Sequence, residues 1–184
     1  SEVEKLLREL RESSREVEER IRKLNRELEK IVRDVDRESA RSIEELKRIA
    51  EEVAERAKRR DKEDVKRILE RAVEEVRRVN KRDRDIIREV LKLVDDVHEE
   101  SRKIVEDNKR TLEKVLEEIR RLPVEERIVK EVEEEVRRLK KRSTKLLEDD
   151  RKSVEDIKER LKELVRRSSE VVKEIEERLK RLEK

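Results

Sequence analysis

Apolar residues recur every three or four positions along almost the whole chain, which is the spacing of one face of an α-helix and not of a strand. The pattern stops at the segment KRRDKED, Lys58 to Asp64, which is the longest interval without an aliphatic residue. It then resumes with the same spacing. The sequence therefore predicts long amphipathic helices, one of which ends and the next of which begins at this segment.

The charge balance favours helical order over disorder. Charged residues make up 59% of the chain, but 56 basic residues nearly cancel 53 acidic ones, and 32% of the residues are apolar. Disordered segments instead combine a high net charge with few aliphatic residues. We therefore predict an all-α protein whose 184 residues, 1–184, form a single domain.

The composition also excludes several classes of function. Without cysteine there is no disulfide, thiolate nucleophile or zinc cluster, and the compartment is not indicated. No apolar run exceeds two residues, so no membrane span is expected and the chain should be soluble. The net charge of +3 is spread over interleaved charges, and no aromatic residue is present to stack on bases or anchor in lipid. We expect neither nucleic acid nor a membrane as a partner.

Charge and proline mark the expected helix ends. Ser1 and Glu4 have the spacing of a capping box, and the basic run before Asp61 suits the negative end of a helix dipole. Asp61 can cap a second helix. Pro123, followed by two glutamates, is typical of the first position of a third. The predicted helices cover residues 1–60, 62–121 and 123–184, with a continuous helix through Asp61 as the alternative, since no glycine or proline enforces a break there.

Connections this short can only reverse the chain, so we predict an elongated antiparallel three-helix bundle of the coiled-coil type, running up-down-up. Helices of about sixty residues are roughly 90 Å long at about 1.5 Å per residue. Turns at Asp61 and Pro123 would place residue i of the first helix near residue 121 minus i of the second and i plus 124 of the third.

Short polar residues interrupt the apolar seam where it skips one or two layers. Such groups can hydrogen-bond to one another between helices, so we predict buried polar layers. The candidate residues are Ser13, Ser14, Asn25, Ser39, Ser42, Asn80, Asp83, His98, Ser101, Asn108, Thr111, Ser143, Thr144, Asp149, Asp150, Ser153 and Ser168.

The expected register brings several of these candidates together across the helices. It pairs Ser13 and Ser14 with Asn108, Ser39 with Asp83, Ser143 and Thr144 with Ser101, and Asn25 with Asp96, His98 and Asp149 or Asp150. A satisfied polar layer costs stability relative to leucine but penalises every register that leaves its groups unpaired.

His98 invites two chemical interpretations that we do not favour. Asp95 and His98 are similar to the Glu-x-x-His pairs of di-iron bundles, and Asp150 could add a third ligand, but those sites need two histidines and the chain has one. A hydrolase triad of Asp95, His98 and Ser101 would lack an oxyanion hole, because a continuous helix uses its own N–H groups. We therefore predict no enzymatic activity, no catalytic residue, no cofactor and no bound metal.

Four features of the sequence belong together: glycine-free helices, a surface saturated with Glu, Lys and Arg, the start SEVEKLL without methionine, and polar residues set into an aliphatic seam. In these features the chain resembles a de novo designed helical bundle with buried hydrogen-bond networks. The resemblance covers the whole chain and implies a synthetic origin and a structural or scaffold function without natural biochemical activity. A monomer would need no partner. The alternative is a subunit of a designed homo- or hetero-oligomer that binds other copies or a partner helix through its seam.

Overall fold

A computed structural model describes residues 1–183 and contains three long helices. These are α1 (Glu2–Ala57), α2 (Lys62–Arg121) and α3 (Glu126–Leu182), and no strand occurs among the described residues. Acidic residues lie in the first turn of each helix and basic residues in the last, as the helix dipole favours. The chain is a three-helix bundle, and the all-α prediction is confirmed.

The first reversal occurs where the apolar pattern stops. Helix α1 ends at Ala57, and Asp61 caps α2 by accepting a hydrogen bond from the Asp64 N–H at 3.1 Å. Ser1 accepts in the same way from the Glu4 N–H at 3.3 Å. The alternative of a continuous helix through Asp61 is therefore wrong. The helix ends before the basic run begins, which leaves Lys58 in the turn.

The second reversal lies at Pro123, but proline is not the first residue of the helix as predicted. The Val124 N–H donates to the Leu122 carbonyl at 2.8 Å, which closes a tight turn around the proline. The Glu125 carbonyl then accepts from the Ile128 N–H at 3.0 Å, and α3 begins at Glu126. Proline thus terminates α2 and fixes the turn, and the glutamate pair begins the new helix.

Contacts divide the helices into two compact units. Unit 1 comprises Ser1–Glu29 and Val94–Asp156, and unit 2 comprises Lys30–Leu93 and the chain from Ile157 onward. Each unit contains segments of all three helices. The single domain predicted for residues 1–184 stays a prediction.

Cross-helix pairs give the helix directions inside each unit. In unit 1, α1 and α3 run parallel, since Arg11 pairs with Glu135 and Glu18 with Arg142. Helix α2 runs antiparallel to α1 there, because Ser13 contacts Asn108 and Arg20 contacts Glu100. In unit 2, α2 and α3 are antiparallel, with contacts of Asn80 to Ser168 and Arg77 to Glu176. These directions agree with an up-down-up order.

Aliphatic side chains from all three helices form the apolar core of each unit. In unit 1, one cluster is built around Leu10, Leu112 and Val132, and a second around Ile21 and Val105. The buried residues of unit 2 form a cluster that includes Leu46, Val76 and Leu179. Full burial of such a side chain contributes about 1.5–3 kcal/mol, so these clusters supply most of the driving force for folding.

The cap at Asp61 provides a test of the first reversal. We expect Asp61→Ala to lower the free energy of unfolding by about 1 kcal/mol, because the Asp64 N–H loses its acceptor. Urea denaturation followed by circular dichroism measures the change. Asp61→Asn is the matched control, since its side-chain oxygen can still accept, and it should differ little from the parent. Equal stability of the alanine variant and the parent would contradict the cap.

Candidate functional site

The first polar cluster, here the Asn108 cluster, links the three helices of unit 1. Ser13 Oγ of α1 donates to Asn108 Oδ1 at 3.0 Å, and Asn108 Nδ2 of α2 donates to Ser143 Oγ of α3 at 3.3 Å. Asn108 and Ser143 are buried, and Ser13 is half-buried. Along each helix the cluster lies between the two apolar clusters of the unit. One amide thus connects two hydroxyls on two different helices.

The second polar cluster, the Asp83 cluster, links the three helices of unit 2. Ser39 Oγ of α1 donates to Asp83 Oδ2 of α2 at 3.5 Å, and Ser42 and Ser168 also hydrogen-bond to this carboxylate. Ser168 Oγ of α3 also lies 3.2 Å from Asn80 Oδ1, and its single hydrogen can be donated to this oxygen or to Asp83 but not to both at once. All these residues are buried except the half-buried Asn80. A single carboxylate is therefore held by hydroxyl groups on both neighbouring helices.

Burial raises the pKa of Asp83 above its ordinary value, because the ionised carboxylate loses solvation. Hydrogen bonds from the serine hydroxyls and the positive charge of Arg82 oppose the rise without cancelling it. The folded protein consequently binds a proton at this site more tightly than the unfolded chain does.

The third polar contact, the His98 pair, joins α2 and α3 in unit 1. His98 Nδ1 lies 2.9 Å from Asp150 Oδ2, and the Asp150 side chain is only 1% exposed. Asp150 Oδ1 and Ser101 Oγ, one turn along α2, are also buried, and neither has a protein partner among residues 1–183. The pair is thus less completely satisfied than the two clusters.

Three candidates predicted to be buried are exposed. Thr111 points out of the core, and its hydroxyl donates to the Asp107 carbonyl of its own helix at 3.1 Å. Thr144 and Asp149 each adjoin a candidate that is buried, Ser143 and Asp150. In these two pairs α3 directs Ser143 and Asp150 to the core and turns the neighbouring residue, about 100° away round the helix, towards solvent. The prediction for these three residues is wrong.

Two further candidates are placed differently from the expected register. Ser143 contacts Asn108 and not Ser101, which lies two turns away on α2. The α3 partner of Asn108 thus lies several residues further along α3 than the expected register places it, whereas the offset between α1 and α3 is as expected. Asn25 is half-buried, and none of the hydrogen bonds described for residues 1–183 joins it to His98. Ser14 and Ser153 are also half-buried.

Sequence reasoning missed the cross-helix ion pairs beside the seam. Arg142 binds both carboxylate oxygens of Glu18, with Nη2 3.1 Å from Oε2, and Arg11 Nε lies 3.3 Å from Glu135 Oε1. Both glutamates are largely buried, with side chains 16% and 13% exposed. The expected offset of 124 residues between α1 and α3 matches both pairs. The sequence signal that could have found these pairs is the occurrence of opposite charges 124 residues apart.

Grooves on the surface are lined mainly by charged side chains. One groove of about 530 Å³ lies between α1 and α3 of unit 1, and its lining residues are Arg11, Ser14, Arg15, Glu18, Glu135, Arg138, Leu139 and Arg142. Sites for small organic ligands are usually apolar cavities with few polar groups. Within residues 1–183 no three His, Cys, Asp or Glu side chains are grouped to hold a metal ion, and no helix there has the apolar length for a membrane span.

Comparisons with known proteins identify a fold and no sequence family. No protein-family model matches the chain, and a search of curated proteins gives no match. Among solved structures the chain is similar to a "Computationally designed three helix bundle", with a TM-score of 0.61 and 19% sequence identity over 99% of this chain and 87% of that one. At this identity the likeness concerns the three-helix fold.

Replacing the buried carboxylate tests the electrostatics of the Asp83 cluster. Because folding raises the pKa of Asp83, the ionised form reduces stability at neutral pH, and this penalty disappears as the pH falls through the raised pKa. We expect Asp83→Asn to be more stable than the parent at pH 7, by on the order of 1 kcal/mol. The difference should shrink as the pH falls through the raised pKa, because the parent carboxyl then becomes protonated in the folded state.

Urea denaturation of both proteins at several pH values measures this difference in the free energy of unfolding. The other acidic groups are common to both proteins, so their contribution cancels in the difference. Asp85→Asn is the control, since it makes the same charge change at an exposed position on the same helix and should show no such trend. A variant less stable than the parent at pH 7 would contradict the expectation.

Proposed function

We propose that the chain is a structural scaffold without natural biochemical activity. It is a designed helical bundle whose polar clusters select one register of its three helices. The observation that carries the proposal is that each unit contains a polar cluster to which all three helices contribute. Likeness to a computationally designed three-helix bundle supports the fold on which this function depends.

Aliphatic residues alone discriminate weakly between registers. A helix displaced by one turn still places leucine, isoleucine and valine against one another, whereas it moves Asn108 or Asp83 away from its hydroxyl partners. Each buried polar group left unsatisfied costs about 1–3 kcal/mol. The clusters therefore penalise displaced registers more than they stabilise the correct one.

The arrangement of polar groups supports a scaffold rather than an enzyme. The backbone N–H groups of the long helices are used within the helices, so they cannot serve as the preorganised donors that acyl-transfer enzymes need. The described grooves have charged walls instead of an apolar pocket with a few converging polar groups.

A second candidate function is that of a subunit that binds other copies or a partner helix. Ile86 and Leu93 of α2 are 38% and 37% exposed, although both are large aliphatic residues. They are seven residues apart and therefore lie on the same face of the helix. A short apolar stripe of this kind is where a further helix would add to the bundle.

Molar mass in solution separates the two functions. Light scattering of a scaffold monomer should give 22.5 kDa, the mass of one chain, at all concentrations tested. A larger mass that returns to one chain in the variant Ile86→Lys/Leu93→Lys would support the subunit. Glu74→Gln/Glu89→Gln makes the same change in net charge at two other exposed positions of α2 and controls for it.

Removing the His98 pair tests whether this pair helps to select the register of the helices. We expect the single variant His98→Leu to lose about 3 kcal/mol of stability, because it leaves Asp150 buried without its donor. The double variant His98→Leu/Asp150→Leu should regain or exceed the stability of the parent, since apolar residues then replace both partners. Its amide spectrum should become heterogeneous, because this layer no longer distinguishes registers.

Urea denaturation of the parent and both variants measures the change in stability, and two-dimensional amide NMR shows whether the spectrum becomes heterogeneous. Thr144→Leu/Asp149→Leu is the control, since it adds the same two leucines at exposed positions and should leave one set of peaks. A double variant with a single sharp set of peaks would show that the His98 pair has no part in selecting the register.

A further inference from the structure

The imidazole of His98 is oriented by a buried carboxylate. Nδ1 lies 2.9 Å from Asp150 Oδ2, with the Asp150 side chain 1% exposed and the His98 side chain 26% exposed. A carboxylate oxygen accepts hydrogen bonds, so Nδ1 carries the hydrogen in this contact. The neutral ring then has its lone pair on Nε2, on the edge turned away from Asp150.

The same geometry makes the imidazole, and not the nearby serine, the reactive group. Ser101 follows His98 by one helical turn, but it is 0% exposed, so a reagent in solution cannot reach its hydroxyl. About a quarter of the His98 side chain remains accessible. A tautomer fixed by a buried carboxylate on Nδ1 and a side chain that stays partly accessible are the features that make an imidazole a directed nucleophile.

We propose that His98 Nε2 is a nucleophile for acyl transfer from small activated aryl esters, with Asp150 as its positioning residue. This reactivity goes beyond the scaffold function and does not depend on it. The Nε2 lone pair attacks the ester carbonyl carbon, the bond from that carbon to the aryl oxygen breaks, and the aryl oxide leaves with the bonding electrons. Positive charge that develops on the ring is stabilised by Asp150 through the Nδ1 hydrogen.

Water completes the cycle. It adds to the acyl carbon, the bond between that carbon and Nε2 breaks with its electrons returning to nitrogen, and the carboxylic acid is released while its protons pass to solvent. The ester and one water molecule thus become one acid and one phenol, and the imidazole is restored. Because no backbone donors form an oxyanion hole in the helix, the reaction requires an activated leaving group.

The test uses p-nitrophenyl acetate with the full chain at neutral pH. Lysine amines and the amino terminus also react, but each is acetylated once and stops, so the steady release of nitrophenolate after this phase reports turnover. We expect His98→Gln to lower the steady rate at least about tenfold, since the nucleophile is lost. Its amide can still donate to Asp150, and circular dichroism checks that the helices are kept. A steady rate equal to that of the parent would overturn the proposal.

Asp150→Asn separates positioning from net charge. We expect it to slow turnover by about tenfold or more, because an amide N–H can face Nδ1 and move the ring hydrogen to Nε2. Asp149→Asn makes the same charge change one residue away at an exposed position and should keep the parent rate. Equal slowing in both variants would remove the positioning role. Loss of turnover in Ser101→Ala would assign the nucleophile to serine and overturn the choice of His98.

The tautomer supplies a readout that does not depend on turnover. Long-range nitrogen NMR of the single histidine should show the hydrogen on Nδ1 in the parent and on Nε2 in Asp150→Asn. A parent ring with its hydrogen on Nε2 would have no lone pair on that nitrogen for attack and would overturn the proposal.

Discussion

A polar side chain buried between helices loses its water, and it must then find a hydrogen-bond partner on another helix or destabilise the fold. This requirement governs the core of each unit. Asn108 connects serines on both neighbouring helices, and Asp83 accepts hydrogen bonds from serines on both of its neighbours. Apolar clusters adjoin these contacts and exclude the water that would otherwise compete. Stability thus comes from aliphatic burial, while the polar groups restrict how the aliphatic layers can be aligned.

The charged surface contributes to the same alignment in a weaker way. Most ion pairs here join exposed side chains, and such pairs contribute at most about 1 kcal/mol each. The pair of Glu18 and Arg142 differs, because its glutamate is largely buried at the edge of the seam and both carboxylate oxygens are bound. Bidentate contacts of this kind depend on orientation, so this pair adds specificity at the edge of the seam beside the Asn108 cluster.

Some contacts of the core could be predicted from the residue numbers alone, and others could not. A turn at Asp61 was enough to place Ser13 beside Asn108 and Ser39 beside Asp83, because two straight helices that meet at one turn have a single free parameter. Contacts between α2 and α3 did not follow from the two turns, although the expected offset of 124 residues between α1 and α3 held. Ser143, for example, contacts Asn108 and not Ser101. Asp149 and Asp150 are separated by about 100° around the axis of α3, so the rotation of the helix decides which of them faces the core. The apolar periodicity of a long helix does not define this rotation closely enough to choose between neighbouring residues.

The sequence by itself determined the helices, the caps at Ser1 and Asp61 and the apolar faces, because these follow from local spacing, capping and the helix dipole. Only the tertiary structure decided which polar groups meet. Asp83 acquires a raised pKa through burial by side chains distant in sequence, and His98 is oriented by a carboxylate on a different helix. Both properties depend on the turn geometry and on the rotation of each helix about its axis. These are set by the sum of many packing contacts, which no local pattern records.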